Sequence, residues 1–329
     1  MVDPKSFNHK FATVNNVKIH YIDEGYSDKV ILCVHGFPDI WYGWRHQIKY
    51  LASQGYRVIV PDIRGYGQSG SPDVTSATLS LYSTKNIVTD FIKLLDYLDI
   101  KKAIWLGHDW GGSIVWRAAM WYPSYVVAVI SVCTPYSPPP PEPVKLSNIT
   151  KVHKNWMYQA FFRTKLAADD LNNNVELFLK SIHRTFDEQV YSSVFSSSIP
   201  IYKRTITDVG DIKRSKLLSQ QELDYYVEQY KINGFKNALN LYKTHEINWE
   251  MEASAGLVAK QLDIPCLMIT VGKDRALPAN FTKNMENYLP NLQRFHIEDA
   301  AHWVLAERSP EINSALSGFL FTLYPGSKL

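Results

Sequence analysis

The sequence of 329 residues lacks the features of several specialised classes of protein. It has only three cysteines, Cys33, Cys133 and Cys266, and each lies in or beside a short apolar run. This placement predicts small buried thiols and argues against a disulfide framework. The ten histidines include no H-x-x-x-H pair and no pairing with cysteine, so we expect no metal site.

Long apolar runs are also missing. No run reaches the roughly 18 residues that would indicate a membrane-spanning helix, and residues 1–5 contain no apolar segment of a secretory leader. The net charge is +3, and basic residues form no long cluster, which argues against nucleic acid as a partner. Apolar residues make up 46% of the chain, enough for the sizeable core of a globular protein.

The chain ends in Ser327, Lys328 and Leu329, a tripeptide that import receptors of the peroxisome read. Such a tripeptide is a far stronger signal at a free carboxyl end than inside a chain. We therefore predict a peroxisomal import receptor as a partner, and a location in the peroxisome, the cytoplasm or both.

Short apolar runs alternate with helical patterns along most of the chain. The run Val30–Val34 is apolar on both faces, as in a buried parallel strand. Between residues 82 and 98 apolar residues recur every three or four positions, as on one face of a helix. This alternation predicts an α/β fold with a doubly wound, mostly parallel sheet. The runs that predict strands are 18–22, 30–34, 57–61, 103–106, 126–133, 266–271 and 293–297.

A proline-rich stretch over residues 135–143 interrupts the alternation, because proline continues neither a helix nor a central strand. The following residues, to about 250, have helical patterns and few strand signals. Strand–helix alternation resumes near residue 262. We predict a first part of the α/β core at 1–135, an inserted helical cap at 136–250 with a proline-rich entry, and a second part of the core at 251–329.

The strand predicted at 103–106 leads into a sharp turn, Gly107-His108-Asp109-Trp110-Gly111-Gly112, and a helix follows at once. This is the frame of a nucleophile elbow, in which a strained turn holds one side chain out at the top of a sheet. Asp109 stands at the tip, where serine hydrolases have serine. A carboxylate nucleophile attacks a saturated carbon, forms an ester and is released when water attacks that ester.

Two later residues complete a triad in the order nucleophile, acid, histidine. Asp274 follows the strand predicted at 266–271, and His302 follows the last predicted strand. We predict His302 as the general base and Asp274 as the residue that orients it. Glu298 and Asp299 are alternatives for the orienting role, but Asp274 comes directly after its strand.

Two glycine-containing turns follow other strands. In His35-Gly36-Phe37-Pro38 a sharp turn can aim backbone N–H groups at the elbow, and we predict that the N–H groups of Phe37 and Trp110 form an oxyanion hole. The alternative is an ordinary turn that ends a strand. Residues 65–70 match G-x-G-x-x-G, but a polar stretch broken by proline follows where a dinucleotide site needs a helix. We therefore predict a loop there.

Together these residues resemble the α/β-hydrolase fold and, more narrowly, the soluble epoxide hydrolases. The resemblance extends from about residue 10 to residue 320. Haloalkane dehalogenases also carry Asp followed by Trp at the elbow, so the elbow alone does not separate the two groups. The matching segments are 35–38, 65–69, 107–112, 272–274 and 296–303.

The resemblance to the epoxide hydrolases implies two cap tyrosines that donate hydrogen bonds to the epoxide oxygen. Tyr158, followed by Gln159 and two phenylalanines, resembles the setting of the first. The Pro-Gly that often follows in that family is missing, and Arg163-Thr164-Lys165 stands there instead. We also assign His35, Pro38 and Gln159 to the substrate pocket.

The second tyrosine is implied by residues 234–243, in which Tyr242 matches the family position. Leu241 replaces the usual Trp and Lys243 the usual Arg. These changes leave the tyrosine in place and predict a pocket of altered shape.

The resemblance implies a cofactor-independent hydrolase that converts a small apolar epoxide to a vicinal diol through an ester on Asp109. The main alternative is a haloalkane or haloacid dehalogenase that uses the same triad. Phe37 argues against it, because a dehalogenase often has Asn there. A further alternative is not an enzyme: a catalytically inactive α/β-hydrolase that only binds a ligand. Such proteins commonly lose a triad residue, and here all three are present.

Overall fold

Eight strands form a single sheet in the computed structural model, which describes residues 2–188 and 199–325. In space the strands follow the order β1-β2-β4-β3-β5-β6-β7-β8. Strand β2 pairs antiparallel with both β1 and β4, and the pairs among β3 to β8 are all parallel. This arrangement confirms the predicted α/β fold. The strands are β1 (His9–Val14), β2 (Val17–Glu24), β3 (Val30–Val34), β4 (Arg57–Pro61), β5 (Ala103–His108), β6 (Val126–Val132), β7 (Cys266–Val271) and β8 (Leu292–Ile297).

The predicted strands are all present, and β3, β4 and β7 have the predicted bounds. The structure adds β1, which the sequence analysis missed. This strand lies at the edge of the sheet, and only Ala12 and Val14 of its residues are buried. A strand that buries so few side chains carries only a weak apolar pattern. The predicted G-x-G-x-x-G loop is also observed, as a series of turns over residues 64–69.

Helices of the core pack against the sheet. Helix α2 occupies the stretch predicted at 82–98, and the Ser83 side chain caps it by accepting a hydrogen bond from the N–H of Asn86. Its face bearing Ile87, Phe91 and Leu95 is fully buried. The helices of the core are α1 (Arg45–Ser53), α2 (Thr84–Tyr97), α3 (Trp110–Trp121), α10 (Val304–Glu307) and α11 (Ser309–Leu323).

Between β6 and β7 the described residues form six α-helices, several 3₁₀ helices and no strand. The predicted boundary at residue 250 falls inside the last of them, and the division into core and cap stays a prediction. Tyr242 lies on a 3₁₀ helix, Ala238–Lys243. The six helices are α4 (Leu146–Val152), α5 (Met157–Phe162), α6 (Lys165–Asn173), α7 (Val175–Ile182), α8 (Gln220–Asn233) and α9 (His245–Ser254).

In residues 2–188 and 199–325 no helix is both long and apolar enough to cross a membrane. The three cysteines are free and buried, as predicted. Ser327, Lys328 and Leu329, on which the predicted import signal depends, lie outside the described residues.

Glycine is required where β3 passes the start of α3. A Cβ atom on Gly111 would overlap the carbonyl oxygen of Val34, and one on Gly36 would overlap the carboxylate of Asp109. Neither neighbour can move without moving backbone or the elbow residue itself. These two glycines therefore let the strand ends approach the turn closely.

We expect Gly111→Ala to lower the free energy of unfolding by about 1–3 kcal/mol, because the added methyl forces the strand and the helix apart. Gly318→Ala is the matched control: it lies on α11, and a Cβ there meets nothing within 4 Å. The control should raise the free energy of unfolding by about 1 kcal/mol through helix propensity. Urea unfolding of both variants checks this, and equal effects would contradict it.

Candidate active site

The turn between β5 and α3 presents Asp109 at the carboxyl end of the sheet. Asp109 has φ 53° and ψ −124°, a conformation that is strained for a residue with a side chain. The close packing around Gly36 and Gly111 enforces it. The carboxylate is 13% exposed and lines a cavity, so it is accessible but largely shielded from water.

The structure brings the three predicted triad residues together. His302 Nδ1 lies 2.7 Å from Asp274 Oδ2, and His302 Nε2 lies 3.5 Å from Asp109 Oδ2. Asp274 is held in turn by the N–H groups of Ala276 and Leu277, which donate to its Oδ1 at 2.8 and 2.9 Å. The imidazole thus lies between two carboxylates, with the second fixed by backbone.

The two alternatives for the orienting role lie elsewhere. Glu298 is paired with Lys273 at 2.9 Å and with His296 at 3.0 Å. Asp299 is exposed to solvent. The geometry therefore favours Asp274 as the partner of His302.

Burial and charge act in opposite directions on the triad. Burial raises the pKa of Asp274, but the charge and hydrogen bond of His302 and the two N–H groups outweigh this and lower it to about 2. Burial lowers the pKa of His302, whereas the Asp274 and Asp109 carboxylates raise it, with a net value of about 9. Burial raises the pKa of Asp109, although His302 and backbone N–H groups oppose the shift. Asp274 is therefore a permanent anion, and His302 carries a proton near neutral pH.

Both predicted oxyanion donors point at the elbow carboxylate. The Phe37 N–H donates to Asp109 Oδ1 at 2.8 Å, and the Trp110 N–H also bonds to Asp109. His35 is fully buried beneath this turn: its Nδ1 donates to the Gly36 carbonyl at 2.9 Å and its Nε2 accepts from the Ile63 N–H at 3.0 Å. With both ring nitrogens so occupied, His35 supports the turn and does not offer a polar group to a pocket.

Tyr158 and Tyr242 lie together above the elbow. Their ring centroids are 6.2 Å apart, and the ring of Tyr242 meets those of Trp110 and Phe37 edge to face at 5.1 and 5.5 Å. Burial and nearby charge raise the pKa of both Tyr158 and Tyr242, so both phenols remain protonated. The Trp110 side chain opposes the rise in the pKa of Tyr242, but burial outweighs it.

A cavity of about 780 Å³ opens beside Asp109 and Tyr158, and Tyr242 is not among the residues that line it. Asp109, Trp110, Tyr158 and the predicted pocket residue Gln159 line it. Pro38 is buried in the turn, and neither it nor His35 is among the residues that line this cavity. The remaining wall is largely apolar, with Pro138, Pro139, Leu146, Ile149, Trp249, Leu277 and Phe281 among its residues.

The departures from the family pattern in the cap have local partners. Arg163, which stands where Pro-Gly is usual, pairs with Glu246 at 3.1 Å and ties α5 to α9. Lys243 is half-buried and donates to Asn240 at 3.1 Å. Neither change displaces Tyr158 or Tyr242 from the group above the elbow.

In the described part of the chain one group of three side chains could offer metal ligands: His108, Cys133 and His302, whose ligand atoms lie within 4.8 Å of one another. His302 Nδ1 is already bonded to Asp274, and His108 Nε2 donates to the His302 carbonyl at 2.8 Å. These hydrogen bonds favour a supporting role for the group. The expectation of no metal stays a prediction.

Two residues beside the triad had no role predicted from the sequence. Cys133 is buried as predicted, but its thiol also bonds to Asp274. Asp39, directly after the oxyanion turn, is a buried carboxylate bonded to Tyr226 of α8. A charged residue directly after an apolar strand and turn was the one available signal for Asp39.

Comparison with known proteins identifies the family. A family model for the α/β hydrolase fold matches residues 29–309. The chain is 35% identical over 321 residues to the bifunctional epoxide hydrolase 2 of Rattus norvegicus. This match covers 97% of this chain but only 56% of the rat protein. It is 31% identical to the epoxide hydrolase srdG of Neurospora crassa over 97% of this chain and 96% of that protein.

A solved structure gives the same result. The crystal structure of epoxide hydrolase A from Mycobacterium thermoresistibile matches with a TM-score of 0.82 and 27% identity, over 98% of this chain and 99% of that one. The full-length match to the Neurospora crassa protein and the matched family model agree with the triad geometry. The chain therefore belongs to the epoxide hydrolases of the α/β-hydrolase fold.

Proposed function

We propose that this protein hydrolyses an epoxide to a vicinal diol through a covalent hydroxyalkyl ester on Asp109. The observation that carries the proposal is the pair of protonated tyrosines, Tyr158 and Tyr242, grouped above a nucleophilic carboxylate. Opening an epoxide creates an alkoxide, which needs hydrogen-bond donors and finally a proton. General acid assistance of this kind contributes typically about 10²–10⁴-fold.

In the first step a carboxylate oxygen of Asp109 attacks an epoxide carbon and the carbon–oxygen bond of the ring breaks. Tyr158 and Tyr242 hold the departing oxygen, which takes a proton from one of these phenols and becomes a hydroxyl group. The phenolate that remains recovers its proton from solvent. Asp109 is then a neutral ester. The apolar wall of the cavity supports a small apolar epoxide as substrate, because such a molecule gains from leaving water.

Ester formation also prepares the base for the second step. In the resting protein the charge of Asp109 contributes to the raised pKa of His302. Once Asp109 is esterified this charge is gone, so the pKa of His302 falls and its proton can leave. Neutral His302, oriented by Asp274, then takes a proton from water that attacks the ester carbonyl, and the N–H groups of Phe37 and Trp110 stabilise the oxyanion. As the oxyanion collapses, the bond between the Asp109 carbonyl carbon and the ester oxygen breaks. That oxygen takes the remaining proton of the attacking water, the vicinal diol leaves, and Asp109 is again a carboxylate beside protonated His302.

A dehalogenase with the same triad is disfavoured by the donors present. A halide leaving group needs N–H donors and no proton. The Trp110 indole, which would supply one such donor, packs edge to face against the ring of Tyr242 at 5.1 Å. Phe37 occupies the position where a second donor from Asn would be expected.

We also propose a peroxisomal import receptor as a partner through Ser327, Lys328 and Leu329. The support is the carboxyl-terminal tripeptide alone. A location in the peroxisome, the cytoplasm or both is proposed on the same ground.

His302→Gln supplied with an aryl epoxide and a bromoalkane together should accumulate an ester, because alkylation proceeds while the base for hydrolysis is missing. Mass spectrometry should find an adduct with the full mass of the epoxide on the peptide that contains Asp109. Asp109→Ala is the control and should give no adduct and no diol. An adduct with the mass of the alkyl group, together with released bromide, would instead indicate a dehalogenase.

Tyr242→Phe should slow ester formation by about 10²-fold or more while ester hydrolysis changes little, because the phenol acts on the epoxide oxygen only. Tyr82→Phe is the matched control, since Tyr82 is equally buried but donates to the Pro72 carbonyl at 3.0 Å. Rapid-quench measurement of the two steps separates them. Equal slowing of both steps would contradict the assigned role.

Ester hydrolysis should become faster as pH rises, because His302 must be neutral to accept a proton. The rate should be half-maximal at an apparent pKa below the value of about 9 that His302 has in the resting protein. The reason is that the ester lacks the Asp109 charge. Ester decay between pH 6 and 10, compared with an NMR titration of His302 in the free protein, checks this. A half-maximal rate at pH 9 or above would refute it.

A further inference from the structure

One buried carboxylate close to the triad takes no part in the chemistry proposed above. Asp39 is 2% exposed and directly follows the residues of the oxyanion turn. Burial of a carboxyl group carries a large desolvation penalty unless hydrogen bonds compensate. Burial raises the pKa of Asp39 to about 6, although hydrogen bonds and the charge of Arg45 oppose the shift. So unfavourable a placement calls for a role beyond filling space.

The partners of Asp39 come from one face of the cap helix α8. The Tyr226 hydroxyl donates to Asp39 Oδ1 at 2.8 Å, and the Tyr230 hydroxyl donates to the Asp39 carbonyl at 3.1 Å. The two tyrosines are four residues apart, one helical turn, and both are buried. The same side-chain oxygen of Asp39 accepts the N–H of Ile40 at 2.8 Å. A single core residue is therefore held by its side chain and its backbone from the cap.

Asp39 in turn closes the oxyanion turn. Its N–H donates to the Gly36 carbonyl at 3.2 Å, and Phe37, between the two, directs its N–H to Asp109 at 2.8 Å. The ring of Phe37 meets Phe162 of α5 at 5.3 Å. The direction of the Phe37 N–H thus depends on where α8 holds the far end of a four-residue turn.

We propose that Tyr226 is a positioning residue for the hydrolysis half-reaction: through Asp39 it holds the turn that aims the Phe37 N–H at the oxyanion. The inference rests on the two-step function proposed above. It predicts an unequal effect on the two steps. The oxyanion forms only when water attacks the ester. In the first step the hydrogen bond from the Phe37 N–H only makes the attacking carboxylate of Asp109 less nucleophilic. Loosening the turn therefore slows hydrolysis and leaves alkylation unchanged or faster.

The test is Tyr226→Phe in the full chain, which removes one hydroxyl group and keeps the ring. Rapid-quench measurement with an aryl epoxide should find ester hydrolysis slower by about 10-fold or more, ester formation within about two-fold of the parent, and ester accumulating in the steady state. Removal of an oxyanion donor outright costs about 10²–10³-fold, so a misaimed donor should lie below that. Tyr225→Phe is the control, because this neighbour bonds to the Trp41 indole at 3.0 Å and not to Asp39.

A double-mutant cycle assigns the effect to Asp39. If Tyr226 acts through Asp39, Tyr226→Phe should not slow ester hydrolysis further in an Asp39→Ala background. The Asp39→Asn variant keeps a hydrogen-bond acceptor and should hydrolyse the ester faster than Asp39→Ala. Additive effects would overturn the proposal even where a variant is less stable. So would equal slowing of both steps in Tyr226→Phe, or the same selective slowing in Tyr225→Phe. A parent protein that forms no ester would instead refute the proposed function itself.

Discussion

The site is built around one demand, that a largely buried carboxylate stay charged and yet remain uncovered. Burial alone would raise the pKa of Asp109 and favour its neutral, unreactive form. The protonated imidazole of His302 and the N–H groups of Phe37 and Trp110 oppose this. The glycines of the β3 and α3 ends let these donors come close, and the strained turn keeps the carboxylate facing the cavity. The sheet, the strained turn and His302 thus all help to keep the Asp109 carboxylate charged and accessible.

Three buried carboxylates near one another have three different balances of burial against hydrogen bonding. Asp274 receives two backbone N–H groups and a charged imidazole, and its pKa falls to about 2. Asp39 has weaker compensation, and its pKa rises to about 6. Asp109 lies between a cation and an apolar cavity. Environments that separate the pKa values of similar groups are how one site assigns different tasks to the same side chain.

What the sequence could and could not predict follows from the range of the interactions. Asp109 and Asp274 could be predicted because they follow the buried strands β5 and β7, and His302 because it follows β8, the last strand. The carboxyl ends of parallel strands meet at one edge of the sheet, so such residues come together. The bond from Tyr226 to Asp39 joins residues 187 positions apart and leaves no local pattern. The edge strand β1 was missed because few of its side chains are buried. The ion pair of Arg163 with Glu246 likewise depends on two helices meeting.

The position of helices α4 to α9 between β6 and β7 in the sequence has a consequence for how the chain acquires its structure. Val129 of β6 pairs with Cys266 of β7, so all of residues 133–265 are synthesised before β6 gains this neighbour. Until then an apolar strand in the middle of the final sheet has an open edge, which is a template for pairing with another chain. Closing so long a loop also slows the pairing. If helices α4 to α9 pack before β7 pairs, the effective loop is shorter, and these helices then aid folding as well as contributing Tyr158 to the site.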